Sequence, residues 1–190
     1  MTAPENPITA GSLNYPAIHE SLDQSALRIV AAVANEQGQP AYLVGGYVRD
    51  LLLNRGTKDI DVLTIGDGIA FAKAVAQKLG PSAQLTVFKK FGTAHIQHKA
   101  LELEIVGARK ESYSRESRKP TVEAGTLEDD LNRRDLTINA LAVGLHEEAY
   151  GHIIDHFNGQ ADLEQGIVRT PLEPHQTFDD DPLRMVRTIR

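Results

Sequence analysis

Residues 42–63 read YLVGGYVRDLLLNRGTKDIDVL, and this stretch decides the fold. Ala41-Tyr42-Leu43-Val44 is a short apolar run of strand formers, which predicts a buried strand. Gly45-Gly46 breaks the run with a turn where backbone can approach a ligand closely. A helix is expected over residues 48–53, then a loop over 54–58, then a second strand carrying Asp59-Ile60-Asp61-Val62-Leu63. Side chains alternate along a strand, so Asp59 and Asp61 share one face and Ile60 takes the other. Two carboxylates on one strand face, near a glycine turn and a helix N-terminus, suit magnesium and a triphosphate.

The 190 residues allow one fair-sized core with a small appendage. With 41% hydrophobic and 24% charged residues, the chain falls in the ordinary globular class. The absence of cysteine excludes a disulfide framework and cysteine metal sites. No signal peptide or bilayer-length apolar run is present, which makes the cytoplasm the default compartment and a membrane partner unexpected. A net charge of −6 argues mildly against nucleic-acid binding, yet basic residues gather at 109–119, at Arg133-Arg134 and at Arg184, Arg187 and Arg190. Distribution matters more here than the total.

Outside the opening stretch, residues 1–17 read as a loose arm. Apolar spacing predicts a helix over 21–37, capped by Ser21 or Asp23 and ended by Gly38. A second helix is expected over 66–80, with Ile69, Ala72, Ala76 and Leu79 inward. Residues 84–89, 93–98 and 101–106 have strand character, and alternation places Glu102 and Glu104 on one face of the last. The polar stretch 109–120 reads as a mobile loop. Helical signal resumes at 126–130, Ile138–Val143 is apolar, and 151–159 turns the chain. Residues 160–169 look irregular, with Asp162 a plausible cap. A helix opens over 179–190, with Pro182 in its first turn and Leu183, Val186 and Ile189 facing a core. Because the sequence stops within that helix, a fragment of a longer protein is expected.

Gly45-Gly46-x-Val48-Arg49-Asp50 followed by Asp59-Ile60-Asp61 resembles the signature of the polymerase-β-like nucleotidyltransferases. More narrowly, it is similar to the class II tRNA nucleotidyltransferase (CCA-adding enzyme) and bacterial poly(A) polymerase family. The resemblance implies an α/β (α+β) head, a mixed sheet flanked by helices, over 18–155. Residues 156–190 would form a hinge and the first helix of a helical neck. The implied reaction is attack of an RNA 3′-hydroxyl on the α-phosphate of ATP or CTP, with pyrophosphate leaving. Such chemistry needs positioning and charge neutralisation more than a covalent protein group. Two magnesium ions roughly 4 Å apart can clamp the attacking and leaving oxygens, and Asp59 and Asp61 suit them as ligands. Glu104 is the candidate third carboxylate, with Asp135 as the alternative. Gly45 and Gly46 would bring amides to the triphosphate, and Arg49 would bind phosphate or pair with Asp50.

Three further motifs extend the resemblance. Arg133-Arg134-Asp135 is similar to the family's Arg-Arg-Asp element, which implies Arg134 on the nucleotide and Asp135 near the sugar; Leu136 stands where Phe is usual. Asp155-His156-Phe157-Asn158-Gly159 resembles the stretch joining head to neck, with His156 in place of Pro. Asp181-x-x-Arg184 resembles the protein template that reads the incoming base edge, preceded by Asp180 where Glu is usual. Arg187 and Arg190 map onto basic residues that help hold the nucleotide. CCA addition to tRNA is the first expectation; poly(A), A-only or CC-only addition shares the same motifs. Two rivals are an Asp-x-Asp glycosyltransferase, which leaves Asp181 and Arg184 unexplained, and an inactive RNA-binding module, which leaves the metal aspartates unexplained.

Overall fold

A computed structural model of the chain describes residues 13–114 and 117–189. Strands run over Ala41–Val44 (β1), Asp59–Thr64 (β2), Ala83–Phe88 (β3), Thr93–His98 (β4), Leu101–Gly107 (β5), Arg109–Ser114 (β6), Ser117–Ala124 (β7), Leu141–Gly144 (β8) and Ile153–Asp155 (β9). Seven of them form one sheet in the order β3-β4-β5-β2-β1-β8-β9, and β6 with β7 makes a separate hairpin. The sheet is mixed because β2 and β5 run parallel while the other neighbours are antiparallel. Helices span Tyr15–Leu22 (α1), Ser25–Gln37 (α2), Gly46–Leu52 (α3), Gly68–Leu79 (α4), Leu127–Asn132 (α5), Gly159–Gln165 (α6), Pro174–Asp180 (α7) and Leu183–Ile189 (α8).

Strand alternation sorts the sheet into a closed face and an open one. Leu43, Ile60, Val62, Leu103 and Ile105 point into the main core with Ile18, Leu27 and Phe71 from α1, α2 and α4. Each such fully buried side chain contributes roughly 1.5–3 kcal/mol relative to exposure. The opposite face carries only a small cluster of Tyr42, Val44, Leu63, Ala108, Leu131 and Ala142. Asp59 and Asp61 lie in the same row of β2 as Leu63, so the thinly covered face is the one left for chemistry. Among the described residues no helix is long and apolar enough to cross a membrane.

Several local expectations change. The helix expected over 21–37 is two helices, α1 and α2, and α1 begins inside the supposed arm with Leu13 already buried. Ser21 caps nothing: its hydroxyl is buried and shares a 2.7 Å hydrogen bond with the Tyr47 hydroxyl. Asp23 instead closes α1 and pairs with Arg28, whereas Gly38 does end α2 in the left-handed conformation. α4 is capped by Asp67, and Phe71, Ala72 and Val75 form its most buried stripe. The polar stretch from 109 is no loose loop, because β6 and β7 satisfy each other's backbone as an antiparallel hairpin. Residues 159–165 are helical, and Asp162 is a buried acceptor for Thr137 Oγ1 (2.7 Å) and Arg169 Nε (3.0 Å) rather than a cap.

The last expected helix is also broken. α7 ends at Asp180, Asp181 is extended (φ −148°, ψ 96°), and α8 starts just after Pro182. Proline at 182 disfavours helical backbone at 181, which explains the break. Leu183, Val186 and Ile189 are exposed on α8, and the buried side chain is Arg184, 6% exposed.

Candidate active site

The parallel pairing of β2 with β5 places Asp61 opposite Glu104 and Asp59 opposite Glu102. Neighbours in a sheet share a face, so three candidate carboxylates, Asp59, Asp61 and Glu104, stand together on the open side. The Asp61 carboxyl is pushed up to about 6, first by burial and second by the nearby Glu104 charge, with Arg134 opposing. Asp135 lies elsewhere: it accepts from Asn139 Nδ2 and from its neighbour's amide at Leu136, both at 2.9 Å.

Gly45 joins this face to an adjacent cavity. Its backbone (φ 74°, ψ −143°) is a conformation that favours glycine. A Cβ there would lie 2.8 Å from Arg134 Nη1 and 3.3 Å from Asp61 Oδ2, so the turn is glycine for want of room as well. The cavity, about 410 Å³, is lined by Gly45, Gly46 and six arginines: Arg49, Arg109, Arg133, Arg134, Arg184 and Arg187. Asp135, Asn139, Asp181 and Glu111 complete it.

The arginines are held by named partners. Asp130, fully buried at the end of α5, accepts from Arg133 Nε (3.0 Å) and Arg134 Nη2 (2.9 Å). α5 itself is fixed by a capping box between Thr126 and Asp129. Arg134 Nε is buried without a hydrogen-bond partner, while Nη1 of the same guanidinium lies against Gly45 at the cavity wall. Arg49 makes a two-pronged bond to Asp50 and donates Nη1 to Asn139 Oδ1 at 2.7 Å. Thus the Asp50 pairing, the alternative to phosphate binding for Arg49, is present, and Arg49 also lines the cavity.

The broken C-terminal helix brings Asp181 and Arg184 to the same cavity. Asp181 Oδ1 accepts from the Leu183 amide (3.1 Å), and Arg184 Nη1 reaches the Thr177 carbonyl (3.4 Å). Arg187 lies 3.9 Å from Asp135 Oδ2, and Arg190 falls outside the described residues. Residues that sequence reasoning missed are Asp130, Arg133, Asn139, Arg109 and Glu111. The first was visible in principle, since Asp130 precedes Arg133 and Arg134 by three and four positions, the spacing of helix ion pairs.

Hard oxygen donors on one face, with the Asp61 carboxyl raised by burial and then by Glu104, are of the donor type that magnesium takes. Among the described residues no three His, Cys, Asp or Glu side chains cluster tightly enough to hold a metal as they stand.

Known proteins resemble this chain in family and fold. Residues 41–169 match the family described as the poly A polymerase head domain. The A-adding tRNA nucleotidyltransferase of Aquifex aeolicus is 43% identical over 150 residues, which are 79% of this chain and 18% of that protein. A solved CCA-adding enzyme in its apo form II superposes with a TM-score of 0.82 at 36% identity, covering 94% of this chain and 42% of that one. A tRNA nucleotidyltransferase solved with a primer tRNA and an incoming ATP analogue gives 0.72 at 39% identity, covering 84% and 43%. The chain thus spans less than half the length of these relatives. It belongs to the poly(A) polymerase head-domain family, in the class II tRNA nucleotidyltransferase group.

Proposed function

We propose that this chain is the catalytic head of an enzyme that adds nucleotides to the 3′ end of tRNA without a nucleic-acid template. ATP and CTP would be its donors and CCA its product. One observation carries the reading: the Asp59, Asp61 and Glu104 face meets an arginine-lined cavity across Gly45, with Arg134 bordering both. Carboxylate oxygens of the type a metal takes therefore lie beside a chamber whose positive charge suits a triphosphate. Asp59 and Asp61 would hold magnesium, two ions in this reading, which would supply charge neutralisation at the reacting phosphate. Glu104 completes the acidic set, and its charge adds to the burial that raises the Asp61 carboxyl.

Arg134, anchored by Asp130 and with Nη1 against Gly45 at the cavity wall, is the phosphate ligand the geometry favours. Gly45 and Gly46 would let the triphosphate approach the start of α3, and Arg49, held in the cavity lining by Asp50 and Asn139, would add positive charge beside it. Asp135, which lines the same cavity, would meet the sugar. Asp181 and Arg184 offer one acceptor and one donor set from the end of the cavity, the requirement for reading a base edge. Arg187 adds charge at the rim.

A-only addition is the second reading, favoured by the 43% identity to the A-adding Aquifex protein. The test is extension of a tRNA that lacks its 3′ CCA, supplied with magnesium and CTP, ATP or both, followed by sequencing of the product ends. Sequential C, C and A establishes CCA addition. A single A on a tRNA already ending in CC selects the A-only reading, and runs of A select poly(A) synthesis. Absence of any transfer overturns the proposal.

A further inference from the structure

The turn between β3 and β4 displays two aromatic rings on an otherwise polar edge. Phe88 is 47% exposed and Phe91 is 65% exposed. They flank Lys89 and Lys90 in the sequence, and the Lys90 ammonium sits 5.9 Å from the centre of the Phe91 ring. Gly92, left-handed at φ 65°, closes this single turn and returns the chain as β4. Two large apolar rings held open to water beside cationic side chains mark a contact surface.

Its location gives the contact a purpose. Phe88, Phe91, Thr93, His95, Glu104 and Arg109 line one recess. Glu104 also belongs to the carboxylate face, and Arg109 also lines the arginine cavity. Register runs Thr86–His95–Glu104–Asp61 across four strands, so Phe88, two residues along from Thr86, lies on the same sheet face as the carboxylates. Three strand spacings separate β3 from β2, roughly 14 Å, a span that a few unpaired nucleotides cover.

We propose that Phe88 and Phe91 form a stacking platform for the unpaired 3′-terminal bases of the RNA acceptor, with Lys89, Lys90 and Arg109 meeting its phosphates. This deepens the nucleotidyl-transfer reading and rests on it. Aromatic faces accept any base, and cations beside them follow the backbone, which is how proteins hold single-stranded ends without reading their sequence. A platform a few nucleotides from the carboxylates aims the terminal hydroxyl at the reacting phosphate while the rest of the strand stays outside the arginine cavity. An acceptor whose terminal bases change identity as it grows needs such sequence tolerance.

The chain has no tryptophan, so Phe91→Trp installs a single emitting probe on the platform. The 190-residue variant is titrated with a short unpaired oligoribonucleotide and, separately, with an abasic strand of the same backbone. Saturable quenching by the RNA, absent with the abasic strand, is expected. Binding of both strands with unchanged emission means charge attraction alone and overturns the platform. In turnover, Phe88→Ala with Phe91→Ala should raise KM for tRNA about 5- to 100-fold, the usual worth of a stacked base, and leave KM for ATP and CTP unchanged. An equal rise in all three constants shows a structural role and overturns it too. Quenching in Phe91→Trp together with no transfer by the wild-type chain leaves the RNA contact standing and sinks the nucleotidyl-transfer reading instead.

Discussion

Replacing Asp61 with Asn should stabilise the metal-free protein while abolishing its activity. In the folded chain this carboxyl titrates near 6, against 3.8 for an unperturbed aspartate, because it is partly buried and faces Glu104. The folded state therefore holds a proton that the unfolded chain has already released. Stability carried by that proton is fully present below about pH 3.8, declines through the window up to about 6, and is gone above it. At about 1.4 kcal/mol for each unit, the shift corresponds to about 3 kcal/mol at most; solvent screening reduces this to roughly 1–3 kcal/mol. Asn keeps the shape and removes the charge, so it escapes the loss. The assay is chemical denaturation of both proteins in a chelator, near pH 4 and again near pH 8. The variant should be nearly matched with wild type at the lower pH and ahead of it at the higher. Added magnesium should then restore stability to the wild type alone, through binding to the folded state. A variant no more stable than wild type near pH 8, or an advantage independent of pH, would refute the reasoning.

Other perturbations probe the remaining parts of the site. Asp130→Ala strands two guanidiniums that share one buried carboxylate, and should cost about 3–5 kcal/mol in thermal or chemical denaturation while raising KM for the nucleotide. A cost below about 1 kcal/mol would mean that Arg133 and Arg134 are held by something else. Gly45→Ala forces a side chain into a conformation favouring glycine, against Arg134 and Asp61, and should lose about 1–3 kcal/mol of stability with most of the activity. Normal kcat/KM in that variant would remove the turn from the site. Asp181→Asn exchanges an acceptor for a donor at the proposed base edge, and its kcat/KM ratio for CTP over ATP should move about 5- to 100-fold. A parallel fall for both nucleotides would assign Asp181 to capping α8 alone, through its bond to the Leu183 amide.

Much of the fold was legible because its signals are local. Period-two alternation in 59–63 and 101–106 fixed which side chains face the core, and the structure keeps Ile60, Leu103 and Ile105 there. Glycine marked the end of α2 and the turn after β1. Errors arose where polar sequence adopts regular structure through backbone pairing. The stretch from 109 offers no apolar alternation, yet β6 and β7 form ladders across it and bring Arg109 and Glu111 to the cavity. Similarly, the apolar stripe of α8 suggested a buried face, whereas the buried residue is Arg184, held by the carbonyl of Thr177 on α7.

The sequence alone determined the chemistry on offer: which residues are hard-oxygen ligands, which turn must be glycine, and which arginines stand in pairs. These follow from residue type and short spacing, and short spacing survives in any fold that keeps the strand and helix periods. Tertiary structure alone decided proximity. Glu104, rather than Asp135, stands with the aspartates because β5 pairs in parallel with β2, a register set by the α4 crossover and by core packing more than forty residues apart in the chain. Asp130 serves both arginines because α5 buries it completely, and a carboxylate without water must find cationic partners. Long-range pairing of this kind leaves no periodic trace in the sequence, since its energy comes from contacts that exist only once the chain has folded.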